Sequence, residues 1–220
     1  MRLWPLLGVC APLAVLAFAC SGNGADETRT GAETPATSST VAPTPLTFAE
    51  RPEITISPDK SYFATVETTK GTFRIRLRPD IALETVNSFI FLAREGYFDG
   101  VTFHRVIRDT PGQPDFMAQG GDPTGTGSGG PGYTLPDEFS DVPFERGTVG
   151  MANTGAPNSA GSQFFITYND MFQDALNGRF TVFGKVVEGM KVVDTLTPRD
   201  PNDPNAPPGD AIISIEIEEG

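Results

Sequence analysis

Histidine and cysteine are scarce in this chain: one His and two Cys in 220 residues. Cys10 and Cys20 both lie near the N-terminus, so the body of the chain can form no internal disulfide and no cysteine metal site. His104 alone cannot supply a zinc site built from His and Cys. The only tryptophan, Trp4, sits in the first few residues. Basic residues are also few. Sixteen Lys and Arg face 28 Asp and Glu, a net charge of −12 at pH 7. Phosphate backbones and anionic lipid both need clustered cations, so neither nucleic acid nor a polybasic membrane grip fits this balance. The longest apolar run, Leu3 to Ala19, carries Pro5 and Pro12. It falls short of the roughly 20 residues that span a bilayer as a helix.

Residues 1–20 read as an export signal, with Arg2 before the apolar run and Leu16-Ala17-Phe18-Ala19-Cys20 at its end. Small residues before a cysteine resemble a bacterial lipobox, in which Cys20 is lipidated. Ala17-Phe18-Ala19 also reads as an ordinary secretory cleavage site, so export as a free protein stands beside the anchored form. Residues 21–60 hold Ser, Thr, Pro, Gly and Glu with almost no apolar periodicity. Such a segment cannot bury enough surface to offset its ordering entropy and is expected to be a disordered tether. A tether behind a lipidated cysteine would hold the remaining domain, residues 61–220, outside the cytoplasm on the membrane surface.

Within that domain, period-two alternation marks strands. Phe73, Ile75 and Leu77 alternate with Arg74, Arg76 and Arg78, one face buried and one solvated. Ala82 to Glu95 switches to helical spacing through Val86, Phe89, Ile90 and Ala93, and Gly96 is placed to end it. Further short strands are expected at Tyr62–Thr68, Thr148–Ala152, Gln163–Thr167, Phe180–Val187 and Ala211–Glu218, with a second helix at Glu188–Leu196. The Gly-rich run Pro123 to Gly132 lacks the Lys and helix of a phosphate loop and reads as a surface loop. About eight strands and two helices in one piece point to a mainly β domain: an eight-stranded antiparallel closed β-barrel capped by two α-helices.

The stretch Val101 to Asp122 limits the chemistry. Phe103-His104-Arg105-Val106-Ile107 and Phe116-Met117-Ala118-Gln119 each set polar side chains among large apolar ones. A guanidinium there either reaches water or lines a cleft, because leaving it dry and unpaired is costly. His104 between Phe103 and Arg105 reads as a structural residue rather than the base of a triad. Asp122, Asp137 and Glu138 are not distinguished from surface acids, and Asp200, Asp203 and Asp210 lack calcium-loop spacing. What remains is a site of Arg, Gln, Asn and apolar groups, needing no metal and no cofactor. Such a site can lower a conformational barrier. Rotation about a peptide bond costs about 18–20 kcal/mol, and only X-Pro bonds populate both isomers appreciably.

Met151-Ala152-Asn153, Asn158 to Ile166 and Leu176 to Val186, together with the two runs above, resemble the cyclophilin-type peptidyl-prolyl cis-trans isomerases. The resemblance runs from about Tyr62 to Glu218 and implies an eight-stranded β-barrel with two capping helices. It implies that Arg105 is the catalytic guanidinium and that Phe116, Met117, Phe165 and Leu176 form the proline pocket, with Phe180 as an aromatic wall. Gln119 and Gln163 would hold Arg105, while Ala152, Asn153 and Thr154 would line the substrate groove beside His104. The substrates would be proline-containing polypeptides, the protein a monomer, and its role the folding of proteins outside the cytoplasm. A binding or scaffold module that keeps the pocket without turnover is the alternative. Three departures stand out, one being Phe180 itself, at a position that is histidine in many eukaryotic members. Arg108 to Asp115 is an insert beside the cleft. Ala175 occupies a position where cyclosporin-binding members carry tryptophan, which implies weak cyclosporin binding.

Overall fold

The computed structural model describes residues 46–109 and 111–220. The leader, Cys20 and the first part of the expected tether lie outside them. Strands β1 (Tyr62–Thr68) and β2 (Gly71–Leu77) form a hairpin in register from Tyr62↔Leu77 to Thr68↔Gly71. The tight turn needs Gly71, whose φ of 124° is open only to glycine at little cost. Ala64, Val66, Phe73 and Ile75 go into the core, while Arg74 stays on the outer face and pairs with Glu218.

Helix α1 (Leu83–Arg94) ends as its sequence suggests. Gly96 has φ 68°, its amide donates to the Ala93 carbonyl, and the Tyr97 amide donates to Leu92. That double bond is the Schellman closure. The helix has no side-chain cap of its own at Ala82. Glu138, from a loop far along the chain, accepts hydrogen bonds from the Glu84 and Thr85 amides and from the Thr85 hydroxyl. A carboxylate at that end satisfies orphan donors and complements the helix dipole.

The remaining strands are β3 (Arg105–Ile107), β4 (Met117–Gly120), β5 (Thr148–Met151), β6 (Phe164–Thr167), β7 (Val182–Glu188) and β8 (Ile212–Glu219). All pairings are antiparallel, in the order β3-β4-β6-β5-β7-β2-β1-β8. The core inside the curved sheet is aromatic: the Phe164 ring meets Phe89, Phe98 and Phe103 edge-on at 5.7, 6.0 and 6.1 Å.

Three sequence expectations need correction. The sheet is an open half-barrel rather than a closed barrel. Its end strands β3 and β8 share no ladder, and the chain just before each meets in one isolated bridge, Thr102↔Ala211. β3 is only three residues long, and its free side pairs with Arg199 at Val106 instead of with β8. Among the described residues there are three helices, because α2 (Gln173–Leu176) joins α1 and α3 (Met190–Val193). α2 buries only Leu176 of its four residues, so it leaves no apolar period in the sequence.

The third correction concerns residues 46–60, expected in the tether. They run over α1 as an irregular strap. The Asn87 side chain, 2% exposed, accepts from the Thr55 amide and donates to the Glu53 carbonyl. Phe48 lies edge-on to Phe91 at 4.9 Å, and Ser57 donates its amide to the Tyr62 hydroxyl. Two ring contacts and a few paired amides hold a segment that has no period of its own.

Candidate active site

Register across four strands builds the centre of the site. Arg105 stands opposite Gln119, Gln119 opposite Phe165, and Phe165 opposite Gly150. Directly opposed residues in antiparallel strands share a face, so these four form one transverse row on the outer side of the sheet. The next row on that face is Ile107, Met117 and Thr167. Between them Val106, Ala118, Ile166 and Val149 point into the core.

Over these rows sits a second apolar cluster, distinct from the main core. Met117, Phe144, Phe165, Leu176 and Val182 are buried in it, and Phe116, Ala152, Phe172 and Phe180 pack on it partly exposed. The Phe165 ring stacks on Phe144 at 5.4 Å and meets Phe180 edge-on at 5.5 Å. Gly150 is the floor. A Cβ there would come within 2.6 Å of Phe144 and 2.8 Å of Phe165. The structure therefore brings together all five residues expected to grip a proline ring: Phe116, Met117, Phe165, Leu176 and Phe180.

Arg105 lies at the exposed edge of this cluster and carries no hydrogen bond or ion pair among the described residues. The expected clasp by glutamines is different in detail. Gln119 donates to the Gln163 side-chain oxygen at 2.9 Å, and Gln163 donates to the Gly127 and Gly129 carbonyls. The two amides brace each other and the Gly-rich loop, and leave the guanidinium free to turn toward a ligand.

Beside the row runs a groove of about 620 Å³ lined by Gln119, Gln163, Ala152, Asn153, Thr154 and residues 127–134. The Asn153 side chain is spent on the chain itself, donating to the Arg179 carbonyl and accepting from the Gly155 amide. Its own main-chain amide and carbonyl take no hydrogen bond among the described residues, so the backbone is the part of Asn153 available to a peptide.

His104 does not reach the groove. It is 1% exposed, on the side of the chain opposite Arg105, and both ring nitrogens lack a hydrogen-bond partner among the described residues. Burial pushes its imidazole below the ordinary 6.5, partly offset by Asp122. It belongs among the supports rather than the substrate contacts. Strand alternation explains the correction: if Arg105 faces out, its neighbour faces in.

The Gly-rich loop is an anion cradle filled by the chain's own carboxylate. Asp122, 0% exposed, accepts from the Thr124, Gly127 and Gly129 amides and the Thr124 hydroxyl. Burial opposes its charge, but these donors outweigh it and hold the carboxyl below its ordinary value. The other acids are also occupied. Asp137 and Asn158 exchange amide and side-chain bonds, and Asp200 and Asp203 accept from the amides of Asn202 and Asn205.

The insert closes the β3–β4 hairpin. The Asp109 amide, at φ 51°, donates to the Asp115 carboxylate, and Gln113 faces a second hollow of about 430 Å³ shared with Arg105 and Arg199. Arg199 occupies the free edge of β3 through reciprocal bonds with Val106. Phe144, Phe172, Val182 and Gly150 escaped the sequence reading as site residues. Phe172 is the informative one. Its ring packs 4.3 Å from Phe116, an aromatic neighbour supplied three residues before the exposed Ala175. A Phe next to a Met in the run Asn169–Phe172 was a usable signal, but nothing in its spacing aims it at Phe116.

A family model described as cyclophilin type peptidyl-prolyl cis-trans isomerase/CLD matches residues 63–217. A peptidyl-prolyl cis-trans isomerase of Synechococcus elongatus is 44% identical over 156 residues, 70% of this chain and 94% of its own. One from Helicobacter pylori is 40% identical over 145 residues, 64% of this chain and 83% of its own. Among solved structures, a Cryptosporidium parvum cyclophilin type peptidyl-prolyl cis-trans isomerase is 32% identical, with a TM-score of 0.61 covering 72% of this chain and 98% of its own. A structure of that protein in the presence of the dipeptide Ala-Pro gives a TM-score of 0.62 at 32% identity, over 71% and 98%.

Proposed function

The chain belongs to the cyclophilin-type peptidyl-prolyl cis-trans isomerases, and we propose that Arg105 is its catalytic group, working as a monomer on proline-containing polypeptides outside the cytoplasm. The activity is rotation about X-Pro peptide bonds. The observation that carries the residue roles is the row Arg105–Gln119–Phe165, which sets an unpaired guanidinium at the rim of an apolar cluster. A pyrrolidine ring buried against Met117, Phe165 and Leu176 is held while the preceding residue turns. Amide resonance is lost in the twisted state and the prolyl nitrogen gains a lone pair. A hydrogen bond from Arg105 to that nitrogen is then stronger than in either planar isomer, so it favours the transition state. A gain of about 10⁵ in rate needs roughly 7 kcal/mol of such differential binding. No acid, base or covalent step is required of these residues. The Asn153 backbone would pair the extended peptide in the groove.

The leader, the small residues before Cys20 and the Ser/Thr/Pro-rich run behind it support an exported enzyme, lipid-anchored at Cys20. The intact mass of membrane-extracted protein tests the anchor: an unmodified or absent Cys20 would overturn it. For the chemistry, cis–trans exchange of an X-Pro peptide is measured on wild type and Arg105→Ala. The expected result is a loss of about 10²-fold or more in kcat/KM. Equal rates would remove Arg105 from the mechanism, and peptide binding without accelerated exchange in the wild type would replace the enzyme by a binding module.

A further inference from the structure

The strap over α1 does more than cover the helix. It ends on the wall of the substrate groove. The Phe48 amide donates to the Pro131 carbonyl at 2.8 Å, and a Cβ on Gly132 would come within 2.5 Å of the Phe48 carbonyl. Gly132, at φ 97°, is glycine because the strap lies directly against it. Pro131, Gly132 and Tyr133 line the groove from the other side. The same wall is tied to α1, since the Tyr133 and Ser88 hydroxyls meet at 2.8 Å.

The strap is itself firmly seated. Phe48 packs on Phe91 at 4.9 Å and lies 6.5 Å from Tyr97. Asn87 spends both ends of its amide on Glu53 and Thr55, and Arg51 pairs with Glu84. A buried helix asparagine whose side-chain partners among the described residues all lie in the strap would be left unpaired without it, a costly state for a polar group. The loop it steadies contains Gly125, Gly127, Gly129, Gly130 and Gly132, with little side-chain bulk to fix its own shape.

We infer that Phe48 and the strap are positioning elements of the enzyme: they hold residues 131–133 in the shape that binds the part of a polypeptide substrate lying in the groove beyond the proline. The inference rests on the groove being the substrate channel. The strap acts on binding of extended substrates, while the proline pocket and Arg105, across the Gln119–Gln163 pair, do their work without it.

The test uses the full-length chain and two substrates: a short X-Pro peptide confined to the proline pocket, and one extended by several residues to fill the groove. Phe48→Ala is expected to raise KM for the extended peptide about fivefold with kcat unchanged, and to leave kcat/KM for the short one within about twofold. Phe48→Leu, which keeps an apolar anchor, restores the extended KM. An unchanged extended KM in Phe48→Ala, or an equal loss on both substrates, overturns the proposal. A measurement on wild type avoids any folding defect. Binding the extended peptide should slow hydrogen exchange at the Phe48 amide, because coupling between wall and strap is reciprocal, and the short peptide should not. Equal protection by both overturns it too. A wild type with no activity on either peptide would instead defeat the isomerase reading.

Discussion

A methyl group added at Gly150 has nowhere to go. Its place lies 2.6 Å from Phe144 and 2.8 Å from Phe165, whose rings stack over the glycine. Those rings belong to the apolar cluster proposed to hold the proline, and Phe165 stands beside Gln119 in the row that ends on Arg105. Overpacking costs about 1–3 kcal/mol, taken up here by moving the rings. Gly150→Ala is therefore expected to keep the fold, lower the melting temperature by a few degrees (about 2–4 °C per kcal/mol at this size) and raise KM for X-Pro peptides about tenfold. Steady-state kinetics and a thermal melt decide it; an unchanged KM would mean the Phe144–Phe165 stack is not part of the pocket. At this scale the sequence was legible where motifs are contiguous. Arg105, Phe116, Met117 and Gln119 lie in two short runs, and strand register does the rest. Phe144 and Gly150 were not, because their roles arise from rings meeting across distant segments. Glu138 looked like any surface acid and proves to be the cap of α1, since a cap supplied from 54 residues away leaves no local trace.

Among elements, the hairpin insert is the feature least explained by the site and the nearest to it. Residues 108–115 leave β3 two positions after Val106 and return at Phe116, whose amide donates to the Ile107 carbonyl. The base of the loop is thus a closed turn already, pinned by the Asp109–Asp115 bond. The remainder can change without unpairing Arg105↔Gln119. Its Gln113 reaches the hollow shared by Arg105 and Arg199, which has no lining residue in common with the groove. Replacing 110–114 by a two-residue turn is expected to leave kcat on a short peptide within about twofold, because neither the Asp109–Asp115 bond nor a residue of the apolar cluster is removed. Peptide series varied on each side of proline should then show altered preference on one side only. Identical preference profiles would make the insert a bystander. The eight strands and α1 were legible to within a few residues from period-two and helical spacing. The strap and α2 were not, because one is irregular and the other buries a single side chain, Leu176.

At the scale of the molecule, the open sheet matters more than the helices around it. The sequence pointed to closure because eight alternating strands fit a barrel, but whether the last meets the first depends on where two loops arrive, which no pattern of side chains records. The seam rests on few bonds. Gly100 donates to Ile212, Ile212 to Val101 and Phe103 to Asp210, around the bridge Thr102↔Ala211. Arg105 opens the edge strand β3, so the proposed catalytic group sits beside this seam. Gly209 is the close approach in that seam, where a Cβ would meet the Phe103 carbonyl and Thr102 Cβ at 2.9 Å. Gly209→Val should push the two edges apart and shift β3 relative to β4. A misplacement of about 1 Å at a reacting group can cost roughly 10²-fold. The expected outcome is faster hydrogen exchange at Gly100, Phe103 and Ile212 with the β1–β2 amides unchanged, and a fall in kcat larger than the rise in KM. If exchange quickens at the seam while kcat holds, the edge strand is anchored by β4 and Arg199 alone, and the seam serves stability rather than the position of Arg105.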